Sequence, residues 1–400
     1  MSKRTKTIIL ISAVLFLIVA FVLFYFFFLR NPNVEPVNPG TFPPPEGPIS
    51  PGTEQPTVLP DGQTEAKNPL QHLTTVPIAG AVAGGKGGEV RVRYVDRALG
   101  NVFEIPAGGG ETTRLTNKTI PKVYEALWNK AGTGVILRYL KDDNETIQTF
   151  SAHIKAGSGG TPGELQGSFL PANILSIALS PSTDELLYIR EEQGDGVATR
   201  ASFDGTGKVE LWRSPLREWL PLWNNASTIL LQSKPSVLSE GALLSLDRAT
   251  GESATFLAGI SGLTALPNSD LSTVIYSEST NSNFSSRIFS KAKNETKPLS
   301  VTTLPEKCVW AKDDITLYCG VPTSVSGGSY PDIWYQGVVS FTDELWSIHF
   351  PEQTTALVSL LQPGLNDPID LVQPSLSPDE SYLIFTNRND GTLWSYRLRE

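Results

Sequence analysis

From about residue 70 onward the chain alternates short apolar runs with polar turns at a regular interval. Six stretches share one pattern, a run ending in Trp, Ser or Pro, a turn, and then a strongly apolar run: EALWNKAGTGVILRYL, SIALSPSTDELLYIR, WLPLWNNASTILLQ, LTALPNSDLSTVIYS, CVWAKDDITLYC and PSLSPDESYLIFT. The equivalent positions Trp128, Ser180, Trp223, Pro267, Trp310 and Ser377 lie 52, 43, 44, 43 and 67 residues apart. AGAVAGGKGGEVRVRYV, ending at Val95, is a seventh and degenerate copy. Short runs rich in β-branched and aromatic residues, bounded by turn residues, predict strands. Each copy continues into a third run, such as GALLSL from Gly241 or GTLWSYRL from Gly391, and most reach a weaker fourth. Four short antiparallel strands every ~43 residues is the repeat of a propeller blade. The fold class is therefore all-β, a seven-bladed β-propeller over residues 69–400.

The last copy ends after its third strand at Leu398, which leaves that blade without an outermost strand. PLQHLTTVPIAGAV from Pro69 resembles TRLTNKTIPKVYEAL from Thr113, where a fourth strand leads into the next blade. Residues 70–75 are thus expected to pair with 392–398 and close the ring, removing an exposed sheet edge.

The pattern is different at the other end. Ile8 to Leu29 is a run of 22 residues without a charge. As a helix it covers about 33 Å, enough for a hydrocarbon core of about 30 Å. Its length, and the absence of a small-residue cleavage site after FYFFFLR, favour an uncleaved anchor over a signal peptide. Lys3, Arg4 and Lys6 precede the run. They predict a cytoplasmic N-terminus, residues 1–7, and a single pass of the cytoplasmic membrane by a transmembrane helix at 8–29, whose partner is the lipid bilayer. Residues 31–70 contain eleven prolines and few large apolar residues. A segment of that composition reads as an extended spacer, so 30–68 is expected to be a proline-rich stalk with the propeller outside the cell.

The final copy, SPDESYLIFTNRNDGTLWSYRL, resembles the repeat of TolB-type, WD40-like propellers: Ser377, Pro378, Asp379, Phe385, Asn387, Arg388, Asp390, Gly391 and Trp394 match that pattern or sit close to it. SPSTDELLYI from Ser180 is recognisable, and elsewhere Trp-Asn replaces Ser-Pro. The resemblance implies the fold and a binding platform rather than a particular chemistry, because such repeats occur both in periplasmic partner-binding proteins and in the propeller halves of some peptidases.

Composition and charge then exclude several functions. Charged residues make up only 18%, while Gly and Pro number 34 and 30, in keeping with an all-β chain. A net charge of -9 argues against a nucleic-acid partner, whose binding depends on Lys and Arg neutralising phosphates. His72, His153 and His349 stand apart from any cluster at ligand spacing, so neither a metal nor a cofactor is expected. There is no G-x-S-x-G elbow, and DGTGKVE around Lys208 lacks the first glycine and the Ser or Thr of a phosphate loop. The glycine clusters at 84–88, 108–110 and 157–160 read as turns. The pairs Asp184–Glu185, Asp313–Asp314 and Asp379–Glu380 recur at one hairpin register, which marks turn chemistry rather than an acid and a base in unlike environments. No catalytic residue is assigned.

Two features remain. If Asp313 and Asp314 centre a hairpin, Cys308 and Cys319 face each other, about 5.5 Å apart between Cα atoms at a hydrogen-bonded pair, and form a candidate disulfide; two buried thiols is the alternative. The connection between second and third strands, short in most blades, swells in the sixth to GVPTSVSGGSYPDIWYQGVVSFT, residues 320–342. Its aromatics Tyr330, Trp334 and Tyr335 are candidate partner-binding residues, unless the insert folds down onto the channel or a blade edge. The other recurring tryptophans, 128, 223, 310, 346 and 394, read as core. The expected role is binding or scaffolding, with an envelope protein or glycan as partner; an enzyme acting on glycan or peptide in the channel and a purely structural component are the alternatives.

Overall fold

A computed structural model describes residues 68–399, apart from 87–88, 160, 281 and 365–367. The expected cytoplasmic end, the apolar run at 8–29 and all of the proline-rich segment except Asn68 lie outside the described residues. Among the described residues no helix is long and apolar enough to cross a membrane.

Seven four-stranded antiparallel sheets make seven blades. Their innermost strands are Ile78–Lys86, Val123–Trp128, Ile174–Leu179, Trp219–Leu222, Thr264–Pro267, Cys308–Trp310 and Leu371–Leu376, for blades 1 to 7 in order. Each strand is short and half apolar because each sheet is sandwiched between two others. Seven apolar clusters fill the seven contacts between neighbouring blades, for instance Leu187, Ile189 and Ala198 of blade 3 against Trp219, Ile229 and Leu231 of blade 4. At roughly 1.5–3 kcal/mol for each fully buried aliphatic side chain, these contacts are the main source of stability.

The ring closes as expected. Leu70–His72 pairs antiparallel with the third strand of blade 7, Leu393–Arg397, in the register Leu70 with Tyr396, Gln71 with Ser395 and His72 with Trp394. Leu70 and Leu73 are buried, and the Thr74 hydroxyl accepts the Leu393 amide at 2.9 Å. His72 stacks on Trp394 with ring centres 4.1 Å apart. One glycine expectation is corrected. Gly84 and Gly85 belong to the innermost strand of blade 1 rather than to a turn, since they pair with Arg91 and Val90.

The antiparallel order sorts the loops into two faces. Hairpins joining strands 1 to 2 and 3 to 4 lie on one face, here the bottom; loops joining strands 2 to 3, and the links between blades, lie on the other, the top. The bottom hairpins carry the recurring Asn, Asp and Ser, and these bond locally and to the neighbouring blade. Asp313 accepts the amides of Ile315 and Thr316 at 3.0 and 2.8 Å. Asn224 and Asn225 donate to the carbonyls of Pro267 and Ser269, each at 2.9 Å, Ser269 donates its amide to Asp314 at 2.9 Å, and Lys312 donates its amide to Glu380 at 2.6 Å. Partial burial works against ionisation of Asp313 and Asp379, but the hydroxyl and amide donors of their own turns hold both carboxyls below the usual range. These carboxylates latch turns and blades.

A chain shortened to begin at residue 77 would lack the closing strand and expose the 393–397 edge. It is expected to self-associate in size-exclusion chromatography under conditions where a chain beginning at residue 68 does not; an unchanged elution profile would mean that the strand is dispensable.

Candidate functional site

The two faces differ in what they expose. Among the described residues, the exposed large apolar side chains gather at the top. Tyr124, Leu175 and Leu220 stand at the top ends of the innermost strands of blades 2, 3 and 4. Val76, Leu216 and Leu360 sit in links between blades, and Leu99, Leu238, Tyr335 and Val338 in loops between second and third strands. Leu238 is 92% exposed and Val338 68%. The bottom hairpins contribute only Ile315 among the described residues, while Phe169, Val209 and Leu357 lie on outermost strands. Exposed apolar side chains are thus concentrated on one of the two faces.

The mouth of the channel on this face is built rather than incidental. The innermost strands of blades 1, 2, 3 and 7 each carry a register shift near their top ends. Such bulges turn Tyr124 and Leu175 outward. Arg138, buried beneath them, donates to Glu125 and to the carbonyls of Ile174 and Leu175, the last at 3.2 Å, and its guanidinium lies 5.4 Å from the Tyr124 ring centre. One side chain thereby fixes the top ends of blades 2 and 3. Between the innermost strands of blades 7, 1 and 2 lies a cavity of about 270 Å³, lined in part by Gly80, Glu125, Trp128, Gln373 and Ser375. Gln373 is exposed at a positive φ of 52°, in the bulge of blade 7.

The insert of blade 6 forms a cap over the remaining part of the top face. It contains one short helical turn, Asp332–Tyr335. Asp332 accepts from the Ser236 hydroxyl at 2.9 Å and the Val237 amide at 2.7 Å, both in a top loop of blade 4. The Gly328 amide bonds Ser282 of blade 5 at 2.8 Å. Arg388 of blade 7 donates to the carbonyls of Trp334 and Tyr335 and lies 4.8 Å from the Trp334 ring centre. The cap therefore spans blades 4 to 7, and among the described residues none covers the mouth over blades 1 to 3.

Beneath the cap is a small core of Phe284, Leu304, Tyr330, Trp334 and Phe341. Tyr330 is fully buried and Trp334 is 3% exposed, so two of the three candidate contact aromatics belong to the interior; only Tyr335, 42% exposed, reaches solvent. The reason is the apolar content of the insert, which has no other surface to cover than the blade ends. Tyr335 donates its hydroxyl to Glu306, in the turn that leads into the innermost strand of blade 6. Burial pushes the Glu306 carboxyl above its usual range, opposed by that hydrogen bond.

Also under the cap lies a wholly buried charge cluster for which the sequence offers no signal. Lys307 Nζ bonds Asp343 at 2.7 Å and Asp370, and all three side chains are shielded from solvent. Asp370 in turn accepts from Trp334 Nε1 at 3.0 Å and the Phe341 amide at 3.1 Å, which ties the cap to it. The three charged residues stand far apart in sequence and lack any motif.

Cys308 and Cys319 form a disulfide, in the register the sequence implies. The local geometry differs from the expectation. The Ala311 amide bonds Thr316, so the loop has four residues with Asp314 at φ 57°, and the cysteines occupy a non-hydrogen-bonded pair with Cα atoms 4.1 Å apart. Of the recurring tryptophans, Trp223 and Trp394 are buried, while Trp128 and Trp310 each reach toward the innermost strand of the preceding blade, at Gly80 and Leu266. The three histidines remain separate, and among the described residues no group of three metal-ligating side chains is found.

No protein-family model matches this sequence, and no curated protein does. Solved structures supply the likeness. The chain is similar to the tricorn protease at 11% identity, over 84% of this chain and 35% of that one, with a TM-score of 0.51. It therefore spans about a third of that protease. The β-propeller domain of the Trilobed protease from Pyrococcus furiosus, described as having an open velcro topology, is 9% identical over 81% of this chain and 98% of that one, TM-score 0.51. An oligogalacturonate lyase from Vibrio parahaemolyticus is 8% identical over 83% and 94%, TM-score 0.51. What these likenesses show is the fold alone, the seven-bladed β-propeller described above.

Trp334→Ala is expected to lower stability by about 3–5 kcal/mol, as for other buried aromatics, and Tyr335→Ala by about 1–2 kcal/mol, mainly through loss of the hydroxyl that bonds the buried Glu306 carboxyl. Cys308→Ser with Cys319→Ser should cost about 2–3 kcal/mol, given the short loop closed. Urea midpoints measured on the three variants check all of these, and equal losses for the two aromatics would contradict the cap's placement.

Proposed function

We propose that this protein is a membrane-anchored, extracytoplasmic binding protein that engages an envelope protein or glycan through the half-capped top face of its propeller. The observation that carries the reading is the concentration of exposed apolar side chains on that face, against a bottom face whose hairpin Asn and Asp residues bond their own turns and the neighbouring blades. Leu175 and Tyr124, the latter held by Arg138, form the open part of the contact surface, and Leu220, Tyr335 and Val338 its border on the cap. Aromatic and aliphatic anchors held by buried partners suit such a surface, since little side-chain entropy is lost on contact. Residues 8–29 serve as the anchor with the N-terminus inside, and 30–68 as the spacer, a reading supported by the length and flanking charges of the apolar run and by a disulfide suited to an oxidising exterior.

A second reading is enzymatic and has one observation of its own. Glu306, with a carboxyl raised by burial, is bonded to the Tyr335 hydroxyl at the edge of the cap, a pair of the kind that serves acid–base chemistry. The propellers similar in fold include proteases and a lyase, which is compatible with either reading.

Photo-crosslinking separates them. A photoreactive amino acid at Leu175 or Leu238 of the full-length protein in its own membrane is expected to give a discrete adduct, and the same probe at Ile315 on the bottom face none. Tyr124→Ala with Leu175→Ser should reduce the adduct formed from the Leu238 probe at least about tenfold while the stability from urea unfolding changes by less than about 1 kcal/mol. Adducts of equal yield from both faces would remove the binding reading, and turnover of a glycan or peptide abolished by Glu306→Gln would favour the enzyme.

A further inference from the structure

The cluster under the cap holds two carboxylates and one ammonium, all without solvent contact. With every group ionised it carries one excess negative charge in a low-dielectric interior, a state that costs several kcal/mol unless a proton or a donor compensates. The hydrogen-bond inventory identifies where the compensation is missing. Asp370 is satisfied on both oxygens, by Lys307 on one and by Trp334 Nε1 and the Phe341 amide on the other. Asp343 receives Lys307 and the Leu371 amide on Oδ2, at 2.7 Å each, whereas its Oδ1 is buried with no partner. A proton that compensates the excess charge would therefore sit on Oδ1 of Asp343.

We propose that Lys307, Asp343 and Asp370 form a proton-operated latch for the cap, which is held down when Asp343 is protonated and loosens when Asp343 ionises. The mechanical link is Asp370, which receives the cap's Trp334 and Phe341. The rings of Trp334 and Phe341 also lie over the ammonium, 5.4 and 5.1 Å from it. An added charge in the cluster is relieved by admitting water, and water enters by lifting the side chains that roof it. The latch concerns the cap alone and stands whether or not the top face binds a partner.

Burial pushes the Asp343 carboxyl up to about 6, with Lys307 opposing and the Asp370 charge adding to the rise. Because this value is raised above that of an exposed aspartate, near 3.9, the stabilising contribution is complete below about pH 3.9 and is lost as pH rises through about 6. Acidification from pH 7.5 to 5 thus tightens the cap, by about tenfold in the docked-to-lifted ratio. Other charged groups face the cluster or the cap. Glu306 precedes Lys307, has its own Oε2 buried without a partner, and shifts in the same direction. Arg388 stacks on Trp334, Asp332 is bonded to blade 4, and Glu344 is turned to Trp346 Nε1 at 3.0 Å.

Hydrogen–deuterium exchange on the full-length protein tests the latch. Protection of amides 329–341 is compared with the blade 3 strand Glu185–Glu192 after correction for intrinsic exchange. In the wild type that ratio is expected to rise about tenfold from pH 7.5 to 5. Asp343→Asn should be protected and flat across the range, and Glu306→Gln should retain the dependence. A flat wild type, an Asp343→Asn variant with an undiminished dependence, or loss of the dependence in Glu306→Gln alone each overturns the proposal. If Asp343→Asn does not fold, the carboxyl carbon of Asp343 in the wild type decides by NMR titration: a midpoint near 6 supports the latch, and one below about 4 overturns it.

Discussion

A blade in this protein has no core of its own; both of its faces are covered only by its neighbours. The ring is therefore stable only when it is closed, and closure rests on the pairing of Leu70–His72 with Leu393–Arg397. Three residues suffice because they are supported on either side, by Leu73 in the cluster between blades 7 and 1 and by Leu70 in the cluster between blades 6 and 7. The stacked His72 and Trp394 and the Thr74 hydroxyl then satisfy the seam in a direction the apolar contacts do not control. Local pairing and distant burial support the same register.

Closure leaves two rims with different duties. At the bottom, the hairpin residues Asn224, Asn225, Ser269, Asp313, Asp314, Ser377 and Asp379 are engaged within their turns or with the next blade, so that face is occupied with holding the ring together. At the top, longer links and the bulged ends of four innermost strands keep the backbone from being used up in such bonds, and apolar side chains stand free at the mouth. Insertions accumulate where the backbone is not already committed, and the long insert of blade 6 is at this rim. Its reach to Ser236 and Val237 on one side and Arg388 on the other turns a loop into a cap over blades 4 to 7.

The charge cluster beneath the cap is the costliest part of the molecule by ordinary reckoning, since three ionisable groups are placed out of water. Apolar replacements would pack there at lower cost, yet they could not hold Trp334 and the Phe341 amide by direction as Asp370 does. Asymmetry between the two carboxylates, one saturated and one with an orphan oxygen, separates the group that positions the cap from the group that responds to protons.

Blade number, the interval of the repeat, the closing strand and the pairing of Cys308 with Cys319 were all legible in the sequence, because period-two alternation and turn residues report on contacts local to a hairpin or repeated from blade to blade. The same rule explains why Asp313 and Asp379 read correctly as turn chemistry, whereas Glu185 is engaged by Arg200 and Arg248. Side-chain destinations within the insert were not legible: Tyr330, Trp334 and Tyr335 look alike as aromatics in a loop, and only the packing of that loop against Phe284, Leu304 and Phe341 buries two of them and leaves the third in water. Nor could Lys307, Asp343 and Asp370 or the Arg138–Tyr124 brace be read, since each joins residues from different strands or blades with no motif between them. Sequence determined the repeating architecture through short-range pattern; tertiary structure alone decided the cap, the open mouth and the buried charges, because those depend on which distant surfaces meet once the ring has closed.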